Sequence, residues 1–204
     1  GNPLKGETEL LKMVDIDPSF LKPLSSTSVA ISALRSAIAI LEAEYLERSL
    51  SENLGGLGVK SVELYANINR TLLTRDRSPT NFGSTAEKIV KLGFRTIKCA
   101  PFDEIQHPNP KDIDFVVKKG IDRLLTVRKE VGSEVEILVD CHGRFEGASS
   151  RIVAELMNPI GIGWFEEPLD PIGFPAELAE LAKEISMPIA GGEAGYGQLF
   201  FDSL

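Results

Sequence analysis

Apolar positions along this chain follow two periods. Between Ser25 and Leu50, Val29, Ile31, Leu34, Ile38, Leu41 and Tyr45 recur at helical spacing, behind serines and Thr27 that offer N-caps. One long helix is therefore expected over 25–50, closed by the glycines of "ENLGGLG" (52–58). Residues 1–26, with Pro3, Pro18 and Pro23, are mixed. Further along, runs of β-formers alternate with amphipathic stretches. Strands are expected over 61–68, 94–100, 134–141, 162–168 and 187–193. Helices are expected over 85–93, 112–132, 148–158 and 175–186, the last with Pro175 in its first turn. The 112–132 helix should bury Ile113, Val116, Val117, Ile121, Leu124 and Leu125 on one face.

Such βα alternation with apolar strands predicts an α/β fold. Its sheet is parallel with helical crossovers, either open and doubly wound or part of a (β/α)8 barrel. In both cases the loops after the C-terminal strand ends carry the site. Those ends are polar here: Asn67 and Asn69, then Lys98, then Asp140 and His142, then Glu166 and Glu167, then Glu193. One acid at a strand end is ordinarily an N-cap or a solvated loop residue. Here Asp140, Glu166 and Glu193 follow at intervals of 26 and 27 residues, about one βα unit each. Three carboxylates converging on one mouth repel unless a cation neutralises them. Oxygen donors of this kind suit Mg²⁺ before Mn²⁺ or Ca²⁺, and zinc fits less well because His107 and His142 lie on different segments.

Composition narrows the partners. The formal net charge of −8 argues against nucleic acid and against anionic membrane. No apolar run is judged to reach the ~18–20 residues of a membrane span. The start, "GNPLKGETEL", is too polar for a signal peptide. Two cysteines, Cys99 and Cys141, without CxxC spacing, make neither a disulfide scaffold nor a thiolate metal site, so a reduced, cytoplasmic setting is the expectation. Both lie between inward-facing positions and should face the helices as small core residues.

The stretches "VDCHGRF", "WFEEPLDP" and "PIAGGE", in that order and spacing, resemble three successive strand ends of the enolase superfamily, mandelate racemase subgroup. "AISALRSAIAILEAEYL" is similar to that group's helix between capping domain and barrel, and "GFRTIKCA" to its second strand. The likeness covers roughly 25–193. It implies a modified TIM-type (β/α)8 barrel of which only about the first five strands are present, preceded by the end of an α+β capping domain. Residues 1–58 would be that capping end and linking helix, and 59–204 the first part of the barrel. Strands six to eight, with an opposing His–Asp pair, are then expected to be missing, and the chain to be partial.

The resemblance further implies abstraction of a proton α to a carboxylate, with Mg²⁺ (or Mn²⁺) held by Asp140, Glu166 and Glu193. Lys98 matches the first lysine of a Lys-x-Lys pair, an electrostatic helper, whereas Ala100 stands where the second, a base, is expected. Asp-x-His-Gly-Arg resembles the acid-sugar dehydratases of galactonate and mannonate type, which makes His142 the acid–base group. The alternative for His142 is a rim histidine hydrogen-bonded to Glu166. Glu167, Arg144 and Asn67 are expected to support the ligands or touch substrate, with Arg144 clamping a substrate carboxylate or pairing with an acid. His107 reads as a loop residue. The function expected is Mg²⁺-dependent dehydration of an aldonate or aldarate. The alternatives are a racemase, epimerase or cycloisomerase of the same superfamily, or a non-catalytic metal-binding half-barrel. The partners expected are a small-molecule carboxylate and further copies of the chain in a homo-oligomer, with no nucleic acid and no membrane.

Overall fold

The structure, a computed structural model, describes residues 9–15, 17, 21–23, 25–56, 59–72, 76–105 and 113–204. Pro3, Pro18, His107, the start of the 112–132 helix and the Val116 side chain lie outside the described residues. The chain divides into two compact units, residues 1–63 with 194–202, and residues 64–193 with 203–204.

In the first unit, α1 spans Ser26–Tyr45 and α2 spans Leu50–Asn53. Ser25 caps α1 by accepting from the Ser28 amide at 3.1 Å. The single helix expected over 25–50 is interrupted, with Glu47 at φ 51° and Ser49 opening α2 in a capping box with Glu52. Spacing located the helix but not its buried side. Only Ser28, Ile31 and Ala43 are buried, while Val29, Leu34, Leu41 and Tyr45 are exposed. By length and composition alone, α1 is long and apolar enough to cross a membrane, which corrects the expectation that no segment is. Its serines interrupt the apolar run without adding charge, so the helix stays apolar on average although no unbroken apolar run spans it.

The second unit carries a five-stranded parallel sheet: β1 Ala66–Asn67, β2 Thr96–Cys99, β3 Glu136–Asp140, β4 Ile162–Glu166 and β5 Ile189–Ala190, in spatial order β1-β2-β3-β4-β5. Sequential order means that every crossover steps the same way. A doubly wound sheet reverses direction at a switch point, so this topology is the arc of a (β/α) barrel. The connecting helices are α3 (Asn69–Leu72), α4 (Pro79–Lys91), α5 (Ile113–Val131), α6 (Gly147–Met157) and α7 (Pro175–Glu184); α8 (Gln198–Phe201), after β5 in sequence, belongs to the first unit.

Edge strands come out shorter than apolar content predicts. Residues 61–65 lie outside β1, and Val62 and Leu64 are exposed, because β1 pairs on one side only, at Ala66↔Ile97 and Asn67↔Lys98. Helix α4 starts earlier than 85. Ser78 accepts from the Asn81 amide at 3.3 Å and Pro79 occupies the first turn, a start signal present in "SPTN". The face α5 buries runs through Val117, Leu124 and Val127; Leu125 is exposed, one position off the stripe.

Alternation along β2 and β3 sorts the sheet's two faces. Ile97, Cys99, Ile137, Val139 and Cys141 enter the helix-side core with Phe82, Phe165 and Met157. Cys99 and Cys141 are free and fully buried, and burial pushes the Cys99 thiol up to about 12. Lys98 and Asp140 take the opposite face.

The turn after β2, residues 100–105, is clamped from outside. Glu104 accepts from Arg77 Nε at 2.8 Å and from Arg123 Nη2 at 2.6 Å. Arg77 Nη2 donates to the Ala100 carbonyl and Arg123 Nη1 to the Pro101 carbonyl, each at 2.7 Å. Partial burial works against the charged Glu104, but the two guanidiniums prevail and hold its carboxyl near 2. A carboxyl depressed on folding stabilises above its ordinary value of 4.5 and loses that contribution as pH falls toward 2. Because Glu104 is half-exposed, the contribution is about 1 kcal/mol after screening. Between about pH 5 and about pH 2, wild-type chain should therefore lose about 1 kcal/mol more unfolding free energy than Glu104→Gln, read from urea midpoints. Equal losses would remove the clamp from the account of this turn.

Candidate functional site

Three strand ends bring charge together on the face opposite the helices. Asp140 and Glu166 are direct register partners, and Lys98 enters from β2. Lys98 Nζ donates to Glu166 Oε1 at 2.7 Å and Oε2 at 2.8 Å, and stands 3.1 Å from Asp140 Oδ2. Trp164 Nε1 donates to Glu166 Oε2 at 3.0 Å. The Tyr65 ring packs edge-on against Trp164 and lies 5.4 Å from the ammonium. Burial alone would lower the Lys98 pKa, but the Glu166 hydrogen bond and the Asp140 charge outweigh it and hold the ammonium above its ordinary range.

His142 reaches this group by a route that strand alternation does not describe. Strand β3 ends at Asp140, and His142 turns back in the left-handed region at φ 49°, followed by Gly143 at φ 65°. Its amide donates to Asp140 Oδ1 at 3.3 Å, and its Nε2 lies 3.4 Å from Asp140 Oδ2. Its Nδ1 lies 2.8 Å from Asp103 Oδ1. The alternative partner expected, Glu166, is thus corrected to Asp103. The Asp103 hydrogen bond raises the imidazole pKa, opposed by partial burial and aided by the charge of Asp140. Sequence reading missed Asp103. It lies 39 residues from His142 in a turn of a different βα unit, and no local spacing links the two.

Glu167 also sits at positive φ, 40°, and links neighbouring strand ends. Its Oε1 accepts from the amides of Gly192 at 2.9 Å and Glu193 at 3.2 Å, and its carbonyl accepts from Gly143 N at 2.7 Å. It therefore fixes the backbone that presents Glu193. Burial raises its pKa, and the two amides partly offset this. Among the described residues Arg144 pairs with no acid; its Nη1 donates to the Ile105 carbonyl at 3.0 Å. Asn67 folds its own turn by accepting from the Asn69 amide at 2.9 Å. The buried asparagine is Asn69, whose side chain accepts from the Ala100 amide and so ties α3 to the end of β2.

Asp140 and Glu166 thus converge on an ammonium. Among the described residues, no three His, Cys, Asp or Glu side chains as they lie form a group able to hold a metal ion. Donor chemistry nonetheless suits a hard divalent ion. Two register-paired carboxylates already share one cation, and Glu193 follows on the next strand end, on a backbone held by Glu167.

The chain is 30% identical over 151 residues to a D-gluconate dehydratase of Thermoproteus tenax, an alignment covering 74% of this chain and 29% of that protein. It is 25% identical over 169 residues to a D-galactarolactone cycloisomerase of Agrobacterium fabrum, covering 83% of this chain and 41% of that protein. The chain therefore spans well under half the length of these curated relatives. An enolase protein from environmental sequencing of the Sargasso Sea superposes with a TM-score of 0.78 at 24% identity, covering all of this chain and 54% of that one. That likeness carries the fold, and it agrees with the sequential parallel arc described above. Residues 81–202, from inside α4 to beyond β5, match one family, and with it the chain belongs to the enolase C-terminal domain-like family.

Proposed function

We propose that this chain forms the metal-binding half of an active site that dehydrates a sugar acid, an aldonate or aldarate, by removing the proton α to its carboxylate. The observation that carries the reading is the Lys98–Asp140–Glu166 cluster beside His142 at the C-terminal strand ends of a barrel arc. Similarity to a D-gluconate dehydratase supports it.

Asp140, Glu166 and Glu193 would hold the ion, Mg²⁺ or Mn²⁺. Bound there, it would offset the negative charge that develops on the substrate carboxylate as the α-proton leaves. Lys98 adds positive charge at the same mouth. An ammonium held above its ordinary range stays protonated at neutral pH, so Lys98 stabilises charge and does not accept the proton. His142 is the group able to move one. Its side chain is part-exposed, and its Nε2 faces the Asp140 side of the mouth. In the elimination the α C–H and β C–O bonds break. A base takes the proton, and the β-hydroxyl leaves as water after receiving one. Tautomerisation of the resulting enol then gives a 2-keto-3-deoxy acid.

The test is an assay of the full-length protein with Mg²⁺ against aldonates and aldarates, following the 2-keto acid and α-deuterium uptake in D₂O. Keto acid from at least one sugar acid is expected. No keto acid and no exchange with any of them would sink the reading. Exchange without keto acid would favour the racemase or cycloisomerase reading, which the similarity to a D-galactarolactone cycloisomerase supports.

A further inference from the structure

We infer that Asp103 is a positioning residue for His142: its carboxylate receives the Nδ1–H, so the neutral ring presents its Nε2 lone pair to the mouth. The relevance to catalysis rests on the acid–base reading of His142 above; the orientation itself does not.

Imidazole has two nitrogens, and the hydrogen bond made by one decides which of them carries the proton. Asp103 Oδ1 is 2.8 Å from Nδ1, while Nε2 points toward Asp140. Aspartates in turns commonly accept from the backbone two residues on. In this chain Asp76 does so with the Ser78 amide at 3.0 Å, and Asp170 with the Ile172 amide at 2.9 Å. Asp103 instead reaches across to another strand end, with its side chain 13% exposed.

The turn that carries Asp103 is built to stay put. On one side of it, Glu104 is held by Arg77 and Arg123. On the other side, Phe102 is fully buried, edge-on to Phe145 at 5.2 Å. Phe102 also packs against α5 at Gly120, where any Cβ would stand 2.1 Å from its ring. The turn closes with Ile105 N donating to the Phe102 carbonyl at 2.9 Å, and Arg144 reaches the Ile105 carbonyl. Both residues flanking Asp103 are therefore anchored independently of His142. A carboxylate on so rigid a mount imposes an orientation on its partner more than it follows one.

The experiment is ¹⁵N NMR of histidine-labelled chain carrying His107→Gln, which leaves one imidazole, at a pH alkaline enough for the ring to be neutral. With Asp103 intact, the proton is expected on Nδ1. Asp103→Ala should lose that preference and move the proton to Nε2. Asp103→Asn keeps an acceptor oxygen on the same turn and should restore part of the Nδ1–H population. A proton on Nε2 in the chain with Asp103 intact overturns the proposal, whether or not the variants fold. So does an unchanged Nδ1–H population in folded Asp103→Ala. The reading concerns the ring alone, so a failure of the dehydratase assay leaves it standing, and a wrong tautomer leaves the dehydratase reading standing.

Discussion

Lys98→Met is expected to lower the unfolding free energy by about 3–5 kcal/mol, the cost of removing one partner from a buried ion pair. Lys98, Asp140 and Glu166 side chains are 8%, 5% and 12% exposed, so the carboxylates left behind would face each other with little water to screen them. Methionine fills similar volume, which separates the loss of charge from the loss of packing. A raised lysine pKa stabilises fully below the unfolded value and fades only as pH rises through the folded one, so the deficit should be flat across neutral pH. Urea midpoints supply the measurement. Millimolar Mg²⁺ should restore more stability to Lys98→Met than it adds to wild type, because a divalent ion binding the native carboxylates stabilises by mass action. A deficit under about 1 kcal/mol would mean that water replaces the ammonium at little cost.

His142→Asn is expected to lower kcat of the full-length enzyme by about 10²–10⁴-fold on its true substrate, the usual worth of positioned proton transfer. The substitution suits the site because position 142 has φ 49°, and asparagine tolerates that region better than most residues. His142 lies outside the apolar core, so stability should change by less than about 1 kcal/mol and the kinetic loss can be read as chemistry. Asp140→Asn should instead weaken cation binding, since it removes a charged donor. Wild-type kcat in His142→Asn would refute the role. Equal loss of cation affinity in both variants would make His142 part of the ion's binding site.

Asp103 and Glu104, neighbours on the turn after β2, enter ion pairs that differ in how folding depends on pH. The Asp103–His142 pair raises the imidazole pKa, so its contribution is full below the ordinary histidine value of 6.5 and declines as pH rises through the folded one. The Glu104 clamp on the same turn behaves in the opposite sense and weakens only in acid.

Period alone determined a good deal about this chain. Alternation in "TIKC" and "EILVDC" told which side chains enter the helix-side core, and Cys99 and Cys141 lie there beside Ile97, Ile137 and Val139. The same alternation put Lys98 and Asp140 on the other face, and the recurrence of acids once per βα unit put Asp140 and Glu166 at neighbouring strand ends. These features depend only on the pleat and on unit length, both of which a linear sequence states. Tertiary structure decided the rest. Strand ends β1 and β5 are short because each lacks a second neighbour, a fact about sheet order and not about residue type. The exposed side of α1 follows from what packs against it, which helical spacing does not specify. Lys98 reaches two carboxylates because parallel register sets β2 beside β3, and β3 beside β4, by fixed amounts. His142 finds Asp103 because a left-handed turn swings its ring toward a loop 39 residues away, held by two arginines and a buried phenylalanine. Sequence patterns record what repeats along the chain, whereas a contact between two loops depends on φ/ψ choices and on the rigid elements that bring the loops together.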